Sequence, residues 1–215
     1  MNSAIILAGG NGIRMGLDIP KQFIIIRHQM IIDYSVKVFL KNKNINDVII
    51  VCTENWIHKI KTKYSNVKVV KGGATRIESS FIGLKTCNPK TENVLIHDSA
   101  RPLIDQNIIN ECIKNLKEHD AAIPVLNCDD SIINVTEMNY IKRNDVKIIQ
   151  TPQAFKYKKI YQAYKNSDTS FSDDFSLLIN YNKFTNYIFI NGYKKNIKIT
   201  KSEDLLLAGR YLNEE

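Results

Sequence analysis

The stretch Ala4-Ile-Ile-Leu-Ala-Gly-Gly-Asn-Gly-Ile-Arg-Met-Gly16 decides the fold. Ala4–Leu7 is a short apolar run without polar alternation, which reads as a strand buried on both faces. Ala8-Gly9-Gly10 ends it in a tight loop, because glycine permits the backbone conformations that such a turn needs. The same rhythm repeats outward. Asp47–Cys52, Val67–Val70, Asn93–His97 and Ala121–Val125 read as further strands. Asp33–Leu40, Trp56–Tyr64, Ile77–Leu84 and Gln106–His119 carry apolar residues at helical spacing between them. Alternating strands and helices predict an α/β, Rossmann-like, mostly parallel sheet with helices on both faces. Ligands of such sheets bind beyond the carboxyl ends of the strands. The loops Gly9–Gly16, Gly72–Arg76 and Asp98–Pro102 all follow predicted strands and are expected to converge on one rim.

Residues Leu126–Ile149 break this rhythm. Ser131–Val135 and Asn139–Lys142 predict a projecting two-stranded β-arm at about 126–149 on a single domain spanning 1–215. Gln150-Thr151-Pro152-Gln153 punctuates the chain, and a helix follows over Lys156–Tyr164. Ser172 is read as the N-cap of the next helix, with Asp173 and Asp174 in its first turn. Ile188–Asn191 and Ile197–Thr200 are read as late strands, and Ser202 as the cap of a final helix.

Of 215 residues, 44% are hydrophobic and 24% charged, an ordinary globular balance. No apolar run is long enough to span a bilayer, and the N-terminus is too Gly-rich for a secretion signal, so a cytoplasmic location is expected. Cys52, Cys87, Cys112 and Cys128 are scattered without a CxxC pair, which argues against zinc and against a disulfide framework. The net charge is +8, from 30 basic and 22 acidic residues. The lysines are spread along the chain without aromatic interleaving, so neither nucleic acid nor membrane is expected as a partner.

The glycine-rich loop itself excludes two readings. It nearly fits the dinucleotide pattern from Gly10, but Met15 stands where the third glycine belongs. No Gly-Lys-Ser/Thr follows, so it is not a P-loop. Backbone N–H groups of a glycine turn can cradle phosphates. Arg14 inside the loop and Lys21 in Pro20-Lys21-Gln22 can neutralise charge on phosphoryl oxygens. Read singly, the glycines are turn formers and these two cations are surface charges.

Taken together, LAGGNGIRMG and the following IPKQF resemble the signature of nucleotidyltransferases that activate sugar or polyol phosphates. Gly72-Gly73-Ala74-Thr75-Arg76, His97-Asp98-Ser99-Ala100-Arg101-Pro102, Gln150-Thr151-Pro152-Gln153, Ser172-Asp173-Asp174 and Asn196-Ile197-Lys198 then follow in the expected order. The chain is thus similar to the cytidylyltransferase family that acts on 2-C-methyl-D-erythritol 4-phosphate, with the ribitol-5-phosphate enzymes as near relatives.

The resemblance implies transfer of CMP from CTP to a polyol phosphate, with release of pyrophosphate, in non-mevalonate isoprenoid synthesis. It implies catalytic roles for Arg14, Lys21 and Lys198. Nucleotide contacts would come from Ala8, Gly9, Gly10, Gly12, Gly72, Gly73, Ser79 and Asp98, with Asp98 also holding Mg²⁺. Acceptor contacts would come from Arg101, Ser131, Arg143, Thr151 and Ser172. In the family the arm crosses to a second subunit, which implies a homodimer with Arg143 in the partner's site. Ala74 departs from the acidic residue common there, and Trp56 is a feature shared with the ribitol enzymes. His97 is read as a strand-end packing residue. A dinucleotide-dependent oxidoreductase is the alternative of another class.

Overall fold

The computed structural model describes residues 1–10, 19–167 and 171–213. Gly12 and Arg14 lie outside the described residues.

Strand β1 (Asn2–Ala8) is followed by a one-turn 3-10 helix at Lys21–Phe23 and a small hairpin, β2 (Ile25–Ile26) with β3 (Gln29–Met30). Then come α1 (Ile31–Lys41), β4 (Asp47–Cys52), α2 (Glu54–Lys63), β5 (Lys68–Lys71), α3 (Arg76–Thr86), β6 (Asn93–Asp98), α4 (Gln106–Asn115) and β7 (Ala121–Asn127). The arm carries β8 (Ile132–Asn134) and β9 (Asn139–Ile141). The chain closes with β10 (Lys147–Ile149), β11 (Gln153–Lys156), α5 (Tyr157–Asn166), α6 (Asp174–Tyr181), β12 (Tyr187–Asn191) and α7 (Ser202–Tyr211).

Among the described residues one sheet of eight strands forms, with β1 pairing in parallel to both β4 and β6. Its apolar runs divide by the period-two rule of a pleated strand. Ala4, Ile6 and Ala8 of β1, with Val48, Ile50 and Cys52 of β4, face the layer that contains Phe39 of α1, Ile60 of α2 and Ile109 of α4. Ile5, Leu7, Ile49 and Val51 face the opposite layer, with Leu84 of α3, Ile160 of α5 and Phe175 of α6. Both faces are therefore buried, as the uninterrupted apolar runs require.

Gly83 of α3 sets the distance between helix and sheet. A Cβ there would lie 2.5 Å from Ile5 Cγ2, so only glycine permits this approach.

The structure corrects several local readings. Gln153 does not end a punctuating loop but begins β11, which runs antiparallel between β6 and β7. Residues 147–149 leave the arm and pair with β7 in the main sheet. The hairpin β8–β9 forms as expected and, among the described residues, pairs only within itself. The cap of α6 is Asp173, whose Oδ1 accepts from Ser176 N at 2.8 Å, and not Ser172. Both are good cap residues, and the helix starts one residue later than expected. Ser202 is already the first residue of α7. Asp204 serves that helix end, accepting from Thr200 N at 2.7 Å and Lys201 N at 2.9 Å. Residues 197–200 form no strand; the backbone bond of this segment to the sheet rim runs from Ile199 N to Ala100 O at 2.8 Å.

The four cysteines are free, and three of them are buried. No described helix is long and apolar enough to cross a membrane.

Candidate active site

A pocket of about 250 Å³ opens at the carboxyl ends of β1 and β6. It is lined by Leu7–Gly10 from β1 and its turn, Lys21 and Gln22, Gly73–Arg76 and Ser79 from the start of α3, Asp98–Ala100 after β6, and Lys198. The expected convergence of three loops is therefore seen for their described residues.

Each wall has a local cause. Gln22 is buried, and its Nε2 donates to Ala8 O at 2.7 Å and to Gly10 O at 2.8 Å. One side chain thus closes the glycine turn against the Lys21 turn. Phe23 is buried and stacks on Trp56, with ring centroids 4.0 Å apart and planes 9° from parallel. On the second wall, Thr75 caps α3 by accepting from Glu78 N at 3.1 Å. Ser79 Oγ accepts from Gly73 N at 3.1 Å. A Cβ on Gly73 would meet Glu78 Cβ at 2.4 Å, so glycine is required for this fold-back.

The floor is charged. Asp98 Oδ2 lies 2.6 Å from Lys198 Nζ, and Asp98 Oδ1 lies 3.0 Å from Arg76 Nε. Arg76 Nη2 also lies 2.7 Å from Asp174 Oδ2, a contact made by charge without an aligned N–H bond. Burial alone would raise the Asp98 pKa. Arg76, Lys198 and Arg101 outweigh it and hold the carboxyl well below the usual range. Burial likewise opposes the charge on Arg76, and the carboxylates of Asp174 and Asp98 raise its pKa in spite of it. The lysine from the C-terminal segment and the carboxylate at the end of β6 are 100 residues apart in the chain.

Beneath the floor lies a neutral network. Asp98 N donates to Thr151 Oγ1 at 3.1 Å, and Thr151 Oγ1 lies 3.2 Å from His97 Nδ1. His97 Nε2 lies 3.1 Å from Arg101 O. These partners assign Nδ1 as acceptor and Nε2 as donor, the neutral tautomer. Burial lowers the His97 pKa to about 4, which agrees with the packing role read from the sequence. Gln150 Nε2 donates to Tyr193 O at 3.0 Å, and Asn196 Nδ2 donates to Thr151 O at 2.9 Å. This anchors the irregular segment that carries Lys198.

The expected site residues therefore divide. Ala8, Gly9, Gly10, Lys21, Gly73, Ser79, Asp98 and Lys198 line the pocket. Gly72 packs behind it, where a Cβ would lie 2.9 Å from Ser79 Oγ. Arg101 is buried and donates to Asn196 O at 2.8 Å and Ile149 O at 3.4 Å, while its Nε has no partner among the described residues. Thr151 lies below the pocket, and Ser172 is exposed beside the α6 cap. Ser131 and Arg143 meet in the arm, where Arg143 Nη2 donates to Ser131 Oγ at 3.2 Å. Arg143 lines a separate polar hollow with Asn127, Cys128, Asp129, Asn144 and Lys147.

The sequence motifs contain Gln22, Arg76 and Asp174, but Gln22 and Arg76 received no role from the sequence, and Asp174 only a place in the first turn of α6. A glutamine directly after the candidate lysine, and an arginine at the start of α3, were the available signals.

An open, mostly parallel sheet with a glycine turn at its first strand, and lysines from both ends of the chain over one pocket, defines an enzyme of the nucleotidyltransferase class. Comparison with known proteins narrows the class. The profile of the 2-C-methyl-D-erythritol 4-phosphate cytidylyltransferase family matches residues 2–214, and the chain belongs to that family. A 2-C-methyl-D-erythritol 4-phosphate cytidylyltransferase of Clostridioides difficile is 40% identical over 229 aligned positions, covering 100% of this chain and 95% of the relative. A ribitol-5-phosphate cytidylyltransferase of Lacticaseibacillus paracasei is 32% identical, covering 100% and 99%. Among solved structures, the 4-diphosphocytidyl-2C-methyl-D-erythritol synthase of Anaerococcus prevotii superposes with a TM-score of 0.87 at 31% identity, covering 99% of this chain and 96% of that one.

Proposed function

We propose that this enzyme transfers CMP from CTP to 2-C-methyl-D-erythritol 4-phosphate. A phosphate oxygen of the acceptor attacks the α-phosphorus in line, an O–P bond forms, and the bond to the β-phosphate oxygen breaks as pyrophosphate leaves. The acceptor phosphate is already ionised at neutral pH, so no general base is needed. Catalysis is positioning plus charge stabilisation.

The observation that carries the reading is the approach of Lys21 and Lys198 to one pocket beside the glycine turn. Both lysines are suited to phosphate oxygens, whose negative charge shifts toward the departing pyrophosphate. Lys198 exchanges its ion pair with Asp98 for the nucleotide phosphates as these enter.

No group of three or more His, Cys, Asp or Glu side chains that could hold a metal occurs among the described residues. A single carboxylate still suits Mg²⁺, which is commonly bound by one or two carboxylates plus substrate phosphates. Asp98, released by Lys198, is the donor we assign to it. When bound, the ion would supply further neutralisation of phosphate charge.

The arm supports a homodimer. Val135, Met138 and Tyr140 stand three-quarters exposed on a hairpin that, among the described residues, pairs only with itself. Isolated hairpins are marginal unless they pack on something, and a second copy would supply that surface. Arg143 would then serve the partner's acceptor site.

The ribitol-5-phosphate relative makes ribitol phosphate the one competing acceptor to test. A pyrophosphate-release assay should cross four nucleoside triphosphates with both acceptors, with and without Mg²⁺. Turnover is expected with CTP and the methylerythritol phosphate and should depend on Mg²⁺. No turnover with any pair overturns the proposal. Near-normal turnover by Lys21→Ala would remove the role given to that lysine.

A further inference from the structure

The Lys21 turn is only three residues long, and each of them does something different. Lys21 faces the pocket, Gln22 holds the glycine turn, and Phe23 points into the body of the protein. A 3-10 turn of this length has poor intrinsic stability, so its orientation must be set from outside.

The backbone of the turn is fixed by Phe23 N donating to Pro20 O at 2.9 Å and Ile24 N donating to Lys21 O at 3.2 Å. Beyond that, its far end rests on Trp56 in the first turn of α2. The rings are nearly parallel and 4.0 Å apart. Lys59 Nζ lies 4.7 Å from the outer ring of the same stack, which adds a cation–π contact. Trp56 is the only tryptophan of the chain and does not line the pocket.

We propose that Trp56 is a positioning residue for catalysis, acting through the Phe23 ring to fix the turn that presents Lys21 to the phosphates. The inference rests on the reading of Lys21 as the phosphate-binding cation. A smaller side chain at residue 56 removes one face of the packing around the buried Phe23 and lets the ring tip toward the space left. Phe23 lies two residues from Lys21 in the same three-residue turn, so a shift of its ring is passed to the backbone that carries the ammonium. Displacements of about 1 Å at a reacting centre cost on the order of 10- to 100-fold in turnover.

The experiment compares wild type with Trp56→Phe, Trp56→Leu, Phe23→Leu and the double variant Trp56→Leu/Phe23→Leu. Each is assayed for pyrophosphate release well below its unfolding temperature. Trp56→Phe keeps a flat ring and is expected to stay within about threefold of wild-type kcat. Trp56→Leu should lose about tenfold or more in kcat with little change in the acceptor KM. The double variant should lose no more than the worse single variant, because one stack carries both effects. Wild-type kcat in a folded Trp56→Leu variant, or additive losses in the double variant, overturn the proposal.

If Trp56→Leu does not fold, emission of the single tryptophan decides the matter. A saturable change on adding CTP to wild type supports the coupling. Binding of CTP by calorimetry without any emission change overturns it. A wild-type protein that binds no CTP and releases no pyrophosphate would refute the functional reading instead, and so the two failures are distinct.

Discussion

Replacing Arg76 by methionine removes the cation between two carboxylates while keeping most of the side-chain volume. Asp98 retains Lys198 at 2.6 Å. Asp174 is fully enclosed, and what remains to it among the described residues is the hydroxyl of Tyr164, which donates to Oδ1 at 2.5 Å. Removing one partner of a buried ion pair costs about 3–5 kcal/mol, because the other charge is left without compensation. At roughly 2–4 °C per kcal/mol for a chain of this size, the melting temperature should fall by roughly 6–20 °C. Urea unfolding should give the same loss with an unchanged m-value. Adding Asp174→Asn removes the orphan charge and keeps an acceptor for Tyr164, so the double variant should recover much of the loss. A single-variant loss below about 1 kcal/mol, the value of an exposed pair, would refute the reasoning. So would a double variant less stable than the single one.

Three further outcomes are expected. His97 is held neutral with its pKa lowered to about 4, so its contribution is present above its unfolded pKa and is lost as pH falls from about 6.5 to about 4. That amounts to about 3 kcal/mol in a pH–stability curve, and a His97→Gln variant should lack the step. Gly83→Ala places a methyl group 2.5 Å from Ile5 Cγ2, and overpacking of about 1–3 kcal/mol should exceed the gain of about 1 kcal/mol in helix propensity, giving a lower melting temperature. Gln22→Leu leaves Ala8 O and Gly10 O without their side-chain donor, so the KM for the nucleotide should rise about 30-fold in steady-state assays, at about 1 kcal/mol for each of the two bonds.

The fold was legible where burial on both faces leaves an unbroken apolar run, as in Ala4–Leu7 and Asp47–Cys52. It was not legible in Gln153–Lys156, whose four residues include a glutamine and a lysine and directly follow Thr151-Pro152. Nothing local distinguishes such a strand from a loop, because its pairing is set by β6 and β7 on either side. The same holds for the site. Lys21 and Asp98 follow predicted strands in recognisable motifs, so they could be placed at the rim. Arg76 and Gln22 act through partners 12 to 98 residues away, and no spacing rule reports such contacts. The cap of α6 was misplaced by one residue because Ser172 and Asp173 have equal chemistry for the task.

The position of β11 has a consequence for how the chain comes together. It pairs with β6 on one side and β7 on the other, and it is synthesised after both and after the arm. A nascent chain that has not yet released residues 153–156 has no strand to join these two neighbours, however well β1, β4 and β6 have assembled. The sheet therefore closes from its middle and late in synthesis, and until then β6 presents an unpaired edge to the surroundings.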